Sequence, residues 1–229
     1  MPGGEKFRGS SEIPLTGEGV DSARNLAIKL SRKGGLDEIH TSSMGRTVHT
    51  ARILSKYTGA PITYSGDGLH PWHLGGLEGK EITPELLDYQ KRLITDTPDE
   101  GIPGRGPVSS ADGESFNSFK TRTLSHLKKV LTLSSTHPEA RIGVVTHYRV
   151  KKLLDSWLRK GADPDGDIDT TEMTQHNSTE SPGSVDHLVV DPYAGPQMFA
   201  VDPDSPGRLG GGVYFVRHEK TPWNSGSAS

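Results

Sequence analysis

Cysteine is absent from this 229-residue chain, and three other features are missing as well. Without cysteine the protein has no disulfides, no thiol nucleophile and no cysteine-ligated zinc. The net charge of -3 gives no basic field that would attract nucleic acid. No apolar run reaches the length of a membrane span, and the first residues contain no signal-peptide core. We therefore expect a soluble, cytoplasmic protein that binds neither membranes nor nucleic acid.

The length and the pattern of predicted elements indicate one α/β domain over residues 1–229. A chain of this size can bury a full core and remain a single domain. Short apolar segments of strand character alternate with segments whose apolar residues follow helical spacing. Such alternation is typical of a three-layer α/β/α sandwich with a mostly parallel sheet. We predict strands at 36–41, 62–64, 141–146, 185–191, 197–201 and 213–216, and helices between Thr16 and Gly34 and at 45–57, 84–93, 116–133 and 150–159.

Two further features complete this outline. Residues 80–108 form an irregular insert, rich in Pro, Gly and Asp outside one helix, which is typical of a lid or rim.

Basic residues cluster near the helix predicted at 150–159, and a solvated helix face explains them better than a binding patch does. They are Lys151, Lys152, Arg159 and Lys160.

The segment Gly210–Asn224 joins an apolar strand to a pair of reactive side chains. Residues 213–216 are predicted as a buried parallel strand, and Arg217 and His218 follow directly. Loops at the carboxyl ends of such strands are where open α/β sheets bind ligands. A neutral imidazole can attack phosphorus while a guanidinium neutralises the phosphoryl oxygens. An Arg-His pair can stand at the end of any strand, so the pair alone does not indicate a phosphate site. Its interpretation depends on motifs in the rest of the chain.

Matching motifs lie elsewhere in the sequence. They are Phe7-Arg8-Gly9, Glu12-Ile13-Pro14-Leu15-Thr16, Ser42-Ser43-Met44-Gly45-Arg46-Thr47, Gly113-Glu114-Ser115 and Ile142-Gly143-Val144-Val145-Thr146-His147. Together with the Arg-His pair they resemble the histidine phosphatase superfamily, which has the phosphoglycerate mutase-like fold. The resemblance covers most of the chain and is weakest over 80–108 and 161–184.

The resemblance implies a phosphate pocket built from histidine and arginine. His218 would attack phosphorus and carry the phosphoryl group as phosphohistidine, and His147 would donate to the phosphoryl oxygens. Arg217 and Arg46 would bind the same oxygens, and the first turn of the Arg46 helix favours an anion. The rim residues implied in the same way are Arg8, Thr221 and Asn224. Neither a metal ion nor an organic cofactor is implied.

The order of the motifs differs from that of the family, in which Arg-His-Gly-x-Thr-x-x-Asn comes first. Here this part stands last, and reading residues 213–229 on into 5–16 restores the family's order. We therefore predict a circularly permuted member of the fold, cut in an exposed loop beside the active site. The join would run through 206–212, where the run of three glycines at 210–212 resembles an engineered linker.

Two positions depart from the family pattern. Glu219 replaces the glycine that usually follows the Arg-His pair, so we expect a different loop or an acidic rim. Pro71 stands where many members have the glutamate that protonates the leaving group, and proline has no proton to donate. The candidates for this role are His73, His70 and Glu78, in that order, because an imidazole near its ordinary pKa can protonate an alkoxide. The two histidines would not hold a metal, since the proline between them favours a loop.

The sequence thus predicts a phosphomonoester hydrolase that acts through phosphohistidine on a small phosphorylated substrate. Phosphoryl transfer of the phosphoglycerate mutase type is the first alternative. Such mutases keep an acid at the Pro71 position and small residues after the second histidine, where this chain has Tyr148 and Arg149. A catalytically weak module that binds phosphate or phosphopeptides is the second alternative, because of Glu219 and Pro71.

Overall fold

The computed structural model describes residues 5–104, 112–174, 184–191, 195–218 and 221. Within these ranges two short 3₁₀ turns, Gly66–Leu69 and Gly75–Leu77, accompany the helices and strands. The helices are α1 (Gly17–Arg32), α2 (Gly45–Thr58), α3 (Pro84–Thr95), α4 (Phe116–Thr136), α5 (Tyr148–Leu158) and α6 (Thr170–Thr174). The strands are β1 (Glu38–Thr41), β2 (Ile62–Tyr64), β3 (Arg141–Thr146), β4 (Val185–Asp191), β5 (Gly195–Ala200) and β6 (Gly212–Arg217).

The strands form one mixed sheet in the order β2-β1-β3-β6-β4-β5. Neighbours among β2, β1, β3 and β6 are parallel, and β4 runs antiparallel to both β6 and β5. Parallel neighbours need long crossover connections, which the helices supply. The predicted mostly parallel sheet is confirmed.

Side chains of the central strand β6 alternate between two core clusters. Val213 and Phe215 join the larger cluster, which also contains residues of α4 and α5. Tyr214 and Val216 join the smaller cluster, which contains residues of α1 and α2. Successive side chains of a strand point to opposite faces, so the two clusters lie on the two sides of the sheet. The fold is therefore the predicted α/β/α sandwich.

The helix starts follow ordinary capping chemistry. Thr16 Oγ1 accepts a hydrogen bond from the Gly19 N–H at 3.0 Å, and Ser115 Oγ accepts one from the Ser118 N–H at 3.2 Å. These caps satisfy backbone donors that the first helical turn leaves unpaired, and they fix where α1 and α4 begin. The predicted bounds of β2, β3 and β4 are confirmed, and the ends of the other predicted elements shift by at most three residues.

Part of the insert at 80–108 packs into the core. Leu93 and Ile94, at the end of α3, and Ile102 are buried in the larger core cluster. The apolar face of α3 follows helical spacing, which explains why it turns inward. These residues are therefore core and not lid. Residues 105–108 lie outside the described residues, so a rim role there stays a prediction.

Two of the four basic residues near α5 are buried, which corrects the predicted solvated face. Lys151 Nζ lies 3.3 Å from Asp186 Oδ2, and Lys152 Nζ donates a hydrogen bond to the Glu172 carbonyl oxygen at 3.0 Å. A buried ammonium group requires partners of this kind, which sequence spacing does not reveal. The other two residues of the group are exposed, as predicted.

The glycine run before β6 is closely packed and does not behave as a loose linker. Tyr214 Oη donates a hydrogen bond to the Gly210 carbonyl oxygen at 2.7 Å, and His187 Nε2 lies 3.0 Å from that of Gly211. The His187 and Tyr214 rings stack with their centroids 4.2 Å apart. A methyl group at Gly211 would overlap the carbonyl oxygen of Pro138, so only glycine fits there.

We expect Gly211→Ala to lower the free energy of unfolding by roughly 1–3 kcal/mol, the usual cost of forcing extra atoms into a packed region. Gly210→Ala is the matched control, because a methyl group there would lie 4.0 Å from its nearest neighbour, His187 Cε1. Urea denaturation followed by circular dichroism measures both variants. Equal stability of the two would contradict the steric requirement at Gly211.

Candidate active site

Two histidines lie side by side where β3 and β6 end. The strands pair so that Thr146 lies opposite Arg217, and the next residue of each chain segment is a histidine. His147 and His218 are 3% and 2% exposed, and their ring centroids are 5.2 Å apart. The backbone N–H of His218 donates to the Thr146 carbonyl oxygen at 3.1 Å, which extends the pairing by one residue. The structure thus brings the two imidazoles together at the carboxyl edge of the sheet.

Arg217 is buried beside these histidines and lies against an aromatic ring. Its guanidinium carbon is 5.1 Å from the centre of the Tyr148 ring. A planar cation stacks favourably on such a face, which limits the positions that the side chain can take. Tyr148 therefore helps to orient Arg217. In the sequence, Tyr148 was notable only because mutases of the family have a small residue at this position.

Arg46 is the second residue of α2 and is 2% exposed. Its Nη1 donates to the Ser11 carbonyl oxygen at 2.8 Å, and its Nη2 donates to that of Gly9 at 3.0 Å. Its Nε atom is buried without a hydrogen-bond partner among the described residues. The side chain therefore ties residues 9–11 to the start of α2, and one of its N–H groups has no partner among the described residues.

Arg8, Arg46 and Arg217 lie close enough for their charges to interact. Burial, and then the charges of Arg217 and Arg46, lower the pKa of Arg8 to about 10. Burial also lowers the pKa of Arg46 to about 10, against the attraction of Glu12 and Glu78. Arg8 Nη1 is buried, and no described residue accepts a hydrogen bond from it. Both groups stay charged near neutral pH, so the cluster is a positive region that an anion would neutralise.

His147 is oriented by two hydroxyl groups to which the sequence analysis assigned no role. Ser42 Oγ lies 2.9 Å from His147 Nε2 and 2.7 Å from Thr47 Oγ1. Burial, followed by the charges of Arg46 and His218, lowers the pKa of His147 well below its ordinary value, so the ring is neutral. Nδ1 is buried and makes no hydrogen bond within the described part of the chain. Ser42 and Thr47, which flank Arg46 in the sequence, are the residues from which this arrangement could have been predicted.

His70 reaches the site from the loop after β2. Its Nε2 lies 2.7 Å from the hydroxyl of Ser43, two residues before α2. Burial lowers the pKa of His70, the charge of Asp67 opposes this shift, and the charges of Arg122 and Arg46 add to it. His70 is in turn one of the groups that lower the pKa of His147. It therefore lies within electrostatic range of both Arg46 and His147.

His73 and Glu78, the other candidates for the proton donor, make contacts that support the backbone. The His73 N–H donates to Glu114 Oε1 at 3.0 Å, and within the described ranges no contact joins the His73 ring to the site's arginines or histidines. Glu78 accepts hydrogen bonds from the Ser10 N–H at 2.7 Å and the Ser11 hydroxyl at 2.8 Å. Glu78 thus has a packing role, which holds the loop beneath Arg46.

The rim residues have different positions. Arg8 is half-buried within the cluster of arginines, whereas Thr221 is 0% exposed and therefore inside the fold. Asn224 and Glu219 lie outside the described residues.

The described ranges contain no group of three or more histidine, aspartate or glutamate side chains arranged to hold a metal ion. They also contain no helix with the length and apolar character needed to cross a bilayer. What the site offers is buried guanidinium groups and imidazoles within electrostatic range of one another. Such groups bind phosphoryl oxygens through charge-assisted hydrogen bonds, often in pairs.

Residues 2–187 match the family model of the histidine phosphatase superfamily (branch 1). The chain belongs to the histidine phosphatase superfamily. The resemblance inferred from the sequence motifs is thereby confirmed. The matched range ends within β4, so β6 with its Arg217 lies beyond it.

Relatives of this superfamily member include proteins named as phosphoglycerate mutases. The probable phosphoglycerate mutase GpmB of Serratia proteamaculans is 30% identical over 131 residues, which cover 56% of this chain. The GpmB of Salmonella arizonae matches with the same identity and coverage. The match spans 56% of the length of each of these relatives.

Solved structures share the superfamily fold at lower sequence identity. The α-ribazole phosphatase of Shigella flexneri has a TM-score of 0.59 and 19% identity, over 90% of this chain and 91% of that one. The mycobacterial glucosyl-3-phosphoglycerate phosphatase, solved with inorganic phosphate, has a TM-score of 0.58 and 17% identity, over 87% and 92%. These likenesses establish the fold of the chain.

We expect Arg46→Met to weaken the binding of inorganic phosphate by about 10- to 100-fold, because a charge-assisted hydrogen bond contributes about 1.5–3 kcal/mol. Isothermal titration calorimetry with phosphate measures the affinity. Arg52→Met is the matched control, since Arg52 is exposed on the same helix. The melting temperature of each variant shows whether lost support of residues 9–11 contributes. Equal phosphate affinity of both variants would exclude Arg46 from the anion site.

Proposed function

We propose that the protein is a phosphomonoester hydrolase that forms a phosphohistidine on His218. The observation that carries this proposal is the juxtaposition of two buried imidazoles at the ends of β3 and β6, beside interacting guanidinium groups. One imidazole is needed as nucleophile, and the cations neutralise charge that develops on the phosphoryl oxygens. Two structural neighbours are named as phosphatases and one of them is solved with inorganic phosphate, which agrees with this reaction class.

In the first step a ring nitrogen of His218 attacks phosphorus. A nitrogen–phosphorus bond forms with the nitrogen lone pair, and the bond from phosphorus to the leaving oxygen breaks. The electron pair remains on the leaving oxygen, which takes up a proton and departs as an alcohol. Arg217, Arg46 and Arg8 bind the phosphoryl oxygens throughout.

In the second step water attacks the same phosphorus. The bond from phosphorus to His218 breaks, its electron pair returns to the ring nitrogen, and inorganic phosphate leaves. The proton that water loses restores the donor that protonated the leaving group. His147 binds a phosphoryl oxygen through Nδ1, and the negative charge of the bound group raises its pKa so that this nitrogen can donate.

We propose His70 as the proton donor, although the sequence ranked His73 first. The support is the contact of His70 with Ser43 at the start of α2 and its electrostatic interaction with Arg46 and His147. The described contacts of His73 instead involve its backbone. A protonated imidazole at the leaving-group side would replace the acid that Pro71 cannot provide.

The second candidate function is a phosphoglycerate mutase, which the names of the curated relatives favour. A mutase must return the phosphoryl group from histidine to a second hydroxyl of the substrate rather than to water. Tyr148 and Arg149 follow the second histidine here, where mutases have small residues. The ring of Tyr148 lies against Arg217 and takes up space beside the phosphate site, so we favour hydrolysis.

The remaining expectations stay predictions. They are a small phosphorylated substrate, no metal ion or organic cofactor, no nucleic-acid partner and a cytoplasmic location.

We expect His218→Ala to lower the turnover of p-nitrophenyl phosphate by about 10³-fold or more, since it removes the nucleophile. The assay contains excess EDTA, so that metal-independent hydrolysis is measured. His137→Ala is the control, because His137 is exposed at the end of α4. Mass spectrometry after rapid quenching detects the phosphohistidine, which is acid-labile, in the wild type only.

Other outcomes of this assay would replace the hydrolase. Conversion of 3-phosphoglycerate to its 2-isomer would identify a mutase. Phosphate affinity without turnover would identify the binding module. Full activity of the His218→Ala variant would contradict the proposed nucleophile.

We also propose that the chain is circularly permuted relative to its family. In support, β6 follows the other strands in sequence but lies between β3 and β4 in the sheet. The match to the family ends before β6, whose Arg-His pair belongs to the first motif of the family. The segment that would join the former ends is docked on α1, where the Leu209 N–H donates to the Lys33 carbonyl oxygen at 2.9 Å.

The permutation is tested by restoring the family's order. A variant that begins at Pro206, continues through Ser229 into Met1 and ends at Ser205 is expected to fold and to keep its phosphate affinity. Circular dichroism and calorimetry measure these properties. A variant cut within α4, between Leu127 and Lys128, is the control that should lose stability. Failure of the first variant to fold would contradict the permutation.

A further inference from the structure

Arg122, on α4, binds the loop that carries His70. Its Nη1 donates to the carbonyl oxygens of Asp67 and His70, the latter at 3.1 Å. Its Nη2 donates to the carbonyl oxygen of Pro71 at 2.8 Å. A guanidinium holds its donors in a rigid planar arrangement, so these carbonyl groups fix the path of the loop relative to α4.

Glu114, from the Gly-Glu-Ser motif, holds both Arg122 and the other end of the same loop. Arg122 Nε donates to Glu114 Oε2 at 2.9 Å, and Arg122 Nη2 also contacts Oε1. Glu114 Oε1 accepts a second hydrogen bond from the His73 N–H, and the Glu114 carbonyl oxygen accepts one from Trp72 Nε1 at 3.1 Å. Gly113 permits this approach, since a methyl group there would lie 2.6 Å from the His73 carbonyl oxygen.

The result for His70 is an imidazole fixed at two points. Its backbone is held by Arg122, and its Nε2 lies 2.7 Å from Ser43 Oγ. The ion pair between Arg122 and Glu114 is largely shielded from solvent, with 22% and 19% of the two side chains exposed. Shielded pairs are screened less by salt than surface pairs, so this ion pair should persist at physiological ionic strength.

We propose that Arg122 and Glu114 are positioning residues that hold His70 as proton donor to the leaving group. The inference rests on the proposed function, in which a leaving oxygen departs from a phosphoryl group bound to His218.

The basicity of the leaving group determines how strongly the reaction depends on a proton from His70. When the bond from phosphorus to oxygen breaks, an aliphatic alkoxide is a strong base and needs a proton as it forms, which the protonated His70 ring donates. Burial and the charge of Arg122 lower the pKa of His70, and the negative charge of a bound phosphoryl group raises it, which favours the protonated ring when the substrate binds. The products of that step are a neutral alcohol and a neutral imidazole, which regains its proton from the water of the second step. A nitrophenolate is stable as an anion and gains little from protonation. Loss of an acid held in place by Arg122 and Glu114 should therefore slow the hydrolysis of an aliphatic ester far more than that of a nitrophenyl ester.

The experiment compares two substrates, glycerol 2-phosphate and p-nitrophenyl phosphate. We expect Arg122→Met and His70→Gln each to lower kcat for glycerol 2-phosphate by about 100-fold, the usual contribution of a general acid. Turnover of p-nitrophenyl phosphate and the KM for both esters should change little. Arg122→Lys keeps the charge but cannot bind the carbonyl groups and Glu114 together, so it should give only partial rescue. Arg24→Met is the matched control, because Arg24 forms an exposed ion pair with Asp21.

The double variant Arg122→Met/His70→Gln distinguishes positioning from general support of the fold. If Arg122 acts through His70, the double variant is no slower on glycerol 2-phosphate than His70→Gln alone. An additive loss, or an equal loss on both substrates in Arg122→Met, would overturn the inference. Should Arg122→Met fail to fold, Glu114→Gln serves in its place, because it keeps the shape of the side chain. Loss of the phosphohistidine in His218→Ala tests the proposed function separately.

Discussion

The register between β3 and β6 is the constraint on which the site depends. It places Thr146 opposite Arg217, and the residue after each is a buried histidine. A shift by one residue would turn each side chain of β6 to the other face of the sheet. Both strands are buried on both faces, so the two core clusters enforce the register. The hydrophobic core thus sets the distance between the two imidazoles.

Buried positive charge is the second determinant of the site. The Arg8 and Arg46 guanidiniums keep their charge although burial lowers their pKa, and each has a buried N–H group without a partner among the described residues. Buried N–H groups without a hydrogen-bond partner lower the stability of the fold unless other contacts hold their side chains. Here the carbonyl oxygens of Gly9 and Ser11 hold Arg46, and Glu78 holds the loop that contains them. These unpaired groups therefore lower the stability of the fold at the proposed anion site.

Sequence patterns predicted the parts of this protein that depend on local spacing. Three strands were predicted with their observed bounds, and His147 and His218 were placed at strand ends from apolar runs alone. Contacts between distant segments were not predictable. The burial of Lys151 depends on Asp186, and the role of Arg122 depends on carbonyl groups more than fifty residues away. The contact between His70 and Ser43 could not be predicted for the same reason, since Ser43 lies in the distant loop before α2.

The position of β6 in the sheet has a consequence for biosynthesis. The ribosome makes β6 after its two neighbours in the sheet, β3 and β4. In the nascent chain, the edges of β3 and β4 that pair with β6 therefore stay unpaired until β6 has been synthesised. Open edges of apolar strands invite pairing with other chains. Cotranslational folding can therefore complete the α1 and α2 layer early, but the sheet closes only after translation has passed His218. Growth temperature and chaperone supply should then govern the yield of this protein more than its final stability does.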